Sequence, residues 1–260
     1  MKRIIALVLV AVMTLLCLAG CGKKDGKKDL DSVKNAGKII VGITEYKPMD
    51  YKENGEWTGF DAEFARLVAK ELGVEVEFIE IDWDNKFFEL ESGAIDCIWN
   101  GMTLTDEVKK NTSYSTPYVR NAQVVVLPED KIDSYATADS IKELKFAVEK
   151  GSAGEKELQA LGVAEDNIVA VDTQSTALME VESGSVEACV IDITMANAMT
   201  GDGTGYASLG YKLELSSEEY VIGFRKDSTL TNEVNEIMNQ LKEDGTLDAL
   251  AKKYELTLAF

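Results

Sequence analysis

Asp192 closes the apolar run Ala188-Cys189-Val190-Ile191, and other polar or aromatic groups stand in the same kind of place, just after a short apolar run. Thr44-Glu45-Tyr46-Lys47-Pro48 follows Lys38 to Ile43, and Asp82-Trp83 follows Phe78 to Ile81. Asn100-Gly101-Met102-Thr103 follows Ile95 to Trp99, and Gly151-Ser152-Ala153-Gly154 comes soon after Phe146-Ala147-Val148. Together these groups offer carboxylates, neutral amide and hydroxyl groups, one indole, and a helix start whose free N–H groups suit an anion. That is equipment for holding a small polar molecule. With no histidine in 260 residues, Ser-His-Asp and Cys-His catalysis, His-ligated zinc and an imidazole base are all excluded. Each feature also has a plainer use. Trp83 can pack a rim, a strand-end Asp can cap a helix, and Gly-Ser-Ala-Gly can simply turn the chain; their convergence on one rim makes a site.

The elements that must position these groups alternate in period. Lys38 to Ile43 is β-branched and reads as a buried strand, and Phe60, Phe64, Leu67, Val68 and Leu72 fall at helical spacing. Gly73 stops that helix, and Val74 to Phe78 alternates as a strand. This βαβ grammar implies a parallel sheet. The segment Phe87 to Asp96 is echoed by Leu178 to Glu187 at a constant offset of 91, each a helical pattern ending in Glu-Ser-Gly before an apolar strand. A duplicated α/β architecture follows, with two lobes whose strand carboxyl ends face a shared cleft. A single doubly wound domain is the alternative. Thr105 suits an N-cap, with Asp106 and Glu107 in the first turn behind it. Cys97 and Cys189 sit in apolar runs without CxxC spacing, so small buried hydrophobes are expected there. No metal or cofactor is expected.

At the N-terminus, Met1-Lys2-Arg3 and the apolar run Ile4 to Leu16 read as a secretory signal, too short to span a bilayer, which takes roughly 20 residues. Gly22 to Asp29 is small and charged, a tether by composition. The chain carries 27 basic and 46 acidic side chains, and its formal net charge of -19 opposes binding to nucleic acid or anionic lipid. This acidic excess solubilises, and it also offers a docking face for a membrane permease.

Leu18-Ala19-Gly20-Cys21 resembles a lipobox, which implies lipidation of Cys21 after removal of residues 1–20. Gly59-Phe60-Asp61, Asp82-Trp83, Asn100 to Thr105, Tyr114 to Tyr118, Lys150-Gly151-Ser152 and Asp244 to Leu247 occur in an order that resembles the bacterial extracellular solute-binding proteins, family 3. The resemblance implies a type II periplasmic-binding-protein fold, α/β, with two lobes joined by two hinge strands. Its boundaries would be residues 21–36 as lipidated tether, 37–118 and 221–260 as lobe one, and 119–220 as lobe two, with crossovers at Tyr118 to Ala122 and Ser217 to Tyr220. It also implies a monomer anchored at the outer face of the membrane, capturing an amino acid for an ABC permease. An enzyme is not expected. The alternatives are a dehydratase on the same fold, with Glu149 or Glu45 as acid or base, and a receptor sensor domain, which would continue into a membrane helix.

Residue by residue, the resemblance implies that Trp83 stacks on the ligand, while Asn100, Gly101, Met102 and Thr103 form the segment bonding its ammonium and carboxylate. Ser152 and Ala153 would donate N–H groups to the carboxylate, Asp192 would receive the α-ammonium, and Glu45 and Tyr46 would lie in the side-chain-selecting loop. The sequence departs from the family at Val108, where an arginine usually grips the carboxylate. Arg120 is the candidate substitute, with Lys109 less well placed. With Glu45, Glu149 and Asp192 around the mouth, the site favours a zwitterionic or cationic amino compound over an acidic one.

Overall fold

A computed structural model describes residues 29–260; the signal, the lipobox and Cys21 lie outside the described residues. Lobe one opens with helix α1 (Asp29–Ala36) and strand β1 (Lys38–Ile43), then the hairpin β2 (Tyr51–Glu53) and β3 (Glu56–Thr58). Helix α2 (Phe60–Leu72), strand β4 (Glu75–Glu80), a 3-10 turn (Trp83–Asn85), helix α3 (Lys86–Ser92) and strand β5 (Cys97–Thr103) follow. Helix α4 (Asp106–Asn111) and the short strands β6 (Ser113–Tyr114) and β7 (Val119–Asn121) complete this stretch. Lobe two holds β8 (Gln123–Pro128), β9 (Phe146–Glu149), α5 (Ala153–Leu161), β10 (Ile168–Val171), α6 (Gln174–Glu182), β11 (Ala188–Asp192), α7 (Ile193–Met199) and β12 (Leu209–Glu214). The chain returns through β13 (Glu218–Phe224) to helices α8 (Leu230–Glu243) and α9 (Thr246–Lys253).

The two main sheets run β4-β1-β5-β13-β6 and β10-β9-β11-β8-β12. In each, three parallel strands come first and an antiparallel strand from the other end of the lobe follows. Two separate sheets of matching order fit the duplication and exclude the single doubly wound domain. The offset of 91 pairs Phe88 with Met179, both exposed, and Leu90 with Val181, both buried, so the echo extends to which face packs.

Helix α2 shows how the pattern does its work. Phe60, Phe64, Val68 and Leu72 recur at one turn, all buried, and each such side chain contributes about 1.5–3 kcal/mol. Gly73 ends the helix in the left-handed region, its amide meeting the carbonyls of Ala69 and Lys70. Cys97 and Cys189 are buried free thiols on the central strands.

Two boundaries are corrected. Residues 29–36 are not tether: α1 buries Val33 against lobe one, Asp29 accepts from the Thr229 amide at 3.0 Å, and Lys34 pairs with Glu233 at 3.0 Å. The charged composition concealed a short amphipathic helix whose Asp29 lies 3.7 Å from the buried Arg225. Strand β7, residues 119–121, belongs to the first lobe's sheet because it pairs with β13. The crossings therefore fall near Ala122 and at residues 215–217.

Candidate functional site

The cleft between the lobes has an empty volume of about 550 Å³, including the solvent at its mouth. The strand-end segments line it. Glu45, Tyr46, Trp83, Asn100, Gly101, Met102, Thr103, Ser152, Ala153 and Asp192 are all brought to its wall.

Local hydrogen bonding decides what each can offer. Asn100 gives its whole side chain to Thr44, accepting from the Thr44 amide at 2.8 Å and donating to its hydroxyl at 2.7 Å, so it ties β5 to β1. The Gly101 amide donates to Asp61 at 2.6 Å. Gly101 has φ +55, and a Cβ there would stand 2.5 Å from Cε1 of Tyr46, so only glycine suits both backbone and space. Met102 turns its thioether into lobe one, against Gly223. Thr103 donates to Glu218 at 3.0 Å. Tyr46 is buried, and its hydroxyl meets those of Thr194 and Tyr220 at 2.5 Å each, a hydroxyl triangle joining lobe one to α7 of lobe two. Of Glu45 and Tyr46, Glu45 stays exposed while Tyr46 is buried.

In lobe two, the Ser152 hydroxyl caps α5 by accepting from the Glu155 amide at 3.2 Å, and the Glu155 carboxylate returns to the Gly151 amide at 2.8 Å. The first amides of the helix, at Ala153 and Gly154, have no intrahelical acceptor. Asp192 sits at the N-cap of α7 but makes no side-chain cap bond. The sequence places Asp192 around the mouth, whereas it is only 4% exposed. It accepts from Asn121, from Gln123 at 2.6 Å and from Gln174, and its amide donates to Gln174 at 2.9 Å. A carboxylate has about four acceptor positions, so one stays open. Burial and the neighbouring Glu218 push its pKa up to about 6. Glu149 is likewise buried, below the mouth where the sequence placed it, and burial together with Asp192 pushes it up to about 8.

Arg120 does not reach the cleft. On β7, alternate side chains face opposite ways: Val119 and Asn121 are buried while Arg120 is exposed, so the parity that aims Asn121 at Asp192 aims Arg120 outward. The arginine's usual place is filled by Val108, buried in an apolar cluster with Trp83 and Met102.

The cation that does line the cleft is Lys86, which sequence reasoning missed. It is 5% exposed, and its ammonium donates to the carbonyls of Trp83 at 3.0 Å and Gly151 at 3.1 Å, crossing from lobe to lobe. Burial lowers its pKa to about 8. The only sequence signal was its place three residues after Trp83. Two further pairs span the lobes, Asp84 with Lys150 at 2.8 Å and Glu107 with Lys156.

Among the described residues no helix is long and apolar enough to cross a membrane. The chain is 31% identical to the probable amino-acid-binding protein YxeM of Bacillus subtilis, over 98% of this chain and 95% of that one. It is 30% identical to the L-cystine-binding protein TcyJ of Escherichia coli, over 95% and 94%. A histidine-bound substrate-binding protein of an ABC uptake transporter from Streptococcus pneumoniae superposes with TM-score 0.82 at 27% identity, covering 88% of this chain and 97% of that one. The ancestral amino acid-binding protein AncCDT-1, a precursor of cyclohexadienyl dehydratase, superposes with TM-score 0.79 at 33% identity, covering 87% and 99%. The fold is that of the type II periplasmic amino-acid-binding proteins. The profile of the bacterial extracellular solute-binding proteins, family 3, matches residues 39–257, and the chain belongs to that family.

Proposed function

We propose that this protein captures an amino acid between its two lobes and delivers it to an ABC importer. The observation that carries this reading is Asp192: a buried carboxylate at the cleft wall, held by three side-chain amides and left with one open acceptor position. An α-ammonium fits it, with Glu149 beside it as a second acid. The uncapped amides of α5 supply donors for the α-carboxylate. Asp192 and Lys86 carry opposite charges that match the two ends of a zwitterion, and Glu149, which a ligand cation would help to ionise, together with Glu45 at the mouth favours a cationic side chain over an acidic one. The relatives' names point the same way, being those of amino-acid-binding proteins. We further read Cys21 as the lipid-bearing N-terminus of a monomer anchored outside the membrane.

A thermal-shift panel of L-amino acids and polyamines tests the reading. A ligand at 100 times its dissociation constant adds about 2.7 kcal/mol, or roughly 5–10 °C in Tm. Tight binding of glutamate or aspartate, with lysine, arginine and neutral amino acids silent, overturns the charge argument. A second reading, a dehydratase, draws on Glu149, whose raised pKa keeps it protonated and able to act as an acid at neutral pH. Turnover of a cyclohexadienyl acid, followed by chromatography, decides between the two.

A further inference from the structure

Among the described residues, Lys86 is the buried cation of the cleft. Lys156, the other lysine on its wall, is 42% exposed at the side chain and already paired with Glu107. The Lys86 ammonium rests among neutral groups: two carbonyl oxygens, and the rings of Trp83 at 4.7 Å and Phe87 at 5.0 Å. No carboxylate of the described residues forms an ion pair with it within 4.0 Å. An ammonium has three N–H donors, and the two carbonyls take two of them. A cation held this far from water without a directly paired counter-charge is costly, and the lowering of its pKa by burial reflects that cost. Glu107, Glu149 and Asp84 act on it only at longer range, and Lys156 opposes them.

We propose that Lys86 receives the carboxylate of the bound amino acid, taking the place of the arginine whose position Val108 occupies. This assignment rests on reading the cleft as an amino-acid site. The geometry explains how the substitution works. Gly151, whose carbonyl the ammonium holds, stands two residues before Ala153, so the free N–H of Lys86 and the first amides of α5 flank the same stretch of the cleft wall. A carboxylate placed there takes one donor from lobe one and others from lobe two. A lysine is a compact point charge, suited to one oxygen, where an arginine fork would occupy both; the second oxygen is left to the helix amides. Asp192 and Glu149 then face the ligand's ammonium, so the acids and the lysine divide the two ends of a zwitterion between them. The competing role is mechanical, with Lys86 merely pinning the Gly151 carbonyl to lobe one. In that case its loss weakens every ligand alike.

The test titrates L-arginine, L-histidine, L-lysine, L-glutamine and L-cystine calorimetrically, each beside its decarboxylated counterpart: agmatine, histamine, cadaverine, 4-aminobutanamide and cystamine. The proteins are wild type, Lys86→Gln, Lys86→Met and Lys86→Arg. For whichever amino acid binds, wild type should prefer it over its amine by about 30-fold or more, the usual consequence of a buried charge partner. Either neutral variant that folds should bring that preference to within about fivefold, while binding the amine at least as tightly as wild type does. Lys86→Arg should keep most of the preference. An unchanged preference in a folded neutral variant, with acid and amine weakened together, overturns the assignment in favour of the mechanical role. Failure of these five and of every other amino acid of the thermal-shift panel to bind wild type removes the functional reading itself, and the assignment with it.

Discussion

Asp192→Asn separates binding from folding because the structure gives the two effects opposite signs. The carboxylate's pKa rises from 3.8 to about 6 on burial beside Glu218. Each pKa unit corresponds to about 1.4 kcal/mol, so neutralising the group relieves about 3 kcal/mol near pH 8. Against this, the new amide sets an N–H pair towards Gln174, itself a donor to Asp192, and an unsatisfied donor costs about 1–3 kcal/mol. The two nearly cancel, so the Tm of the ligand-free protein at pH 8 should stay within about 5 °C of wild type. Affinity has no such compensation. Removing the buried partner of an ammonium costs about 2–5 kcal/mol, a weakening of roughly 30- to several-thousand-fold. Calorimetry against the best amino acid of the panel measures the second quantity and thermal unfolding the first. An affinity within about threefold of wild type, or a Tm fall well beyond 5 °C, refutes the reasoning, since the first makes Asp192 irrelevant to the ligand and the second makes it structural.

Other expectations follow from neighbouring groups. Asp61, Asp192 and Glu149 all hold their protons more tightly when folded, at about 7, 6 and 8, so the stability they confer is full below about pH 4 and lost as the pH rises through those values. Tm should therefore be about 5 °C or more higher at pH 5 than at pH 8, and a rise across that interval contradicts the burial of these acids. Gly101→Ala sets a Cβ 2.5 Å from the Tyr46 ring on a left-handed backbone, and should lower Tm by roughly 5–10 °C in a melt. Tyr46→Phe leaves Thr194 and Tyr220 bonded at 2.9 Å but removes a bond between the lobes. It should cost about 1 kcal/mol in stability and weaken ligand binding by up to about tenfold; unchanged affinity would show that the hydroxyl triangle plays no part in closure.

The fold was legible because local chemistry and global topology agree. β-Branched runs became central strands, Gly73 stopped a helix, and the Glu-Ser-Gly echo marked equivalent helices in two sheets of matching order. The rim of the cleft was legible for the same reason, since strand carboxyl ends must meet there. Depth and direction were not. The burial of Lys86 depends on a carbonyl 65 residues away, across the cleft, and nothing near Lys86 in sequence announces it. Arg120 was misjudged by one residue of strand parity, the step that separates Asn121 in the site from a solvated side chain. Asp192 stands at the cleft wall, as its strand end implies, but its burial was not legible, because the amides that enclose it come from positions 121, 123 and 174. The helix at 29–36 was hidden by its charges, whose partners lie some 200 residues further on.

Those distant amides link capture to closure. Asn121 lies on β7 in the first lobe's sheet and Gln123 on β8 in the second, either side of the crossing at Ala122. Each donates both to Asp192 and to Glu218, and Glu218 also accepts from Thr103 at the end of β5. A rotation about the crossing moves one donor relative to the other, so the full set of bonds to Asp192 belongs to the arrangement in which the lobes touch. Two carboxylates sharing the same donors repel, and this repulsion adds to burial in raising the pKa of Asp192. An ammonium at the open position of Asp192 adds the positive charge this cluster lacks. Its benefit is greatest where both carboxylates and both hinge amides are gathered together. A ligand held at Asp192 would therefore bind the closed arrangement better than an open one, and that difference in affinity is the only means by which it could shift the population.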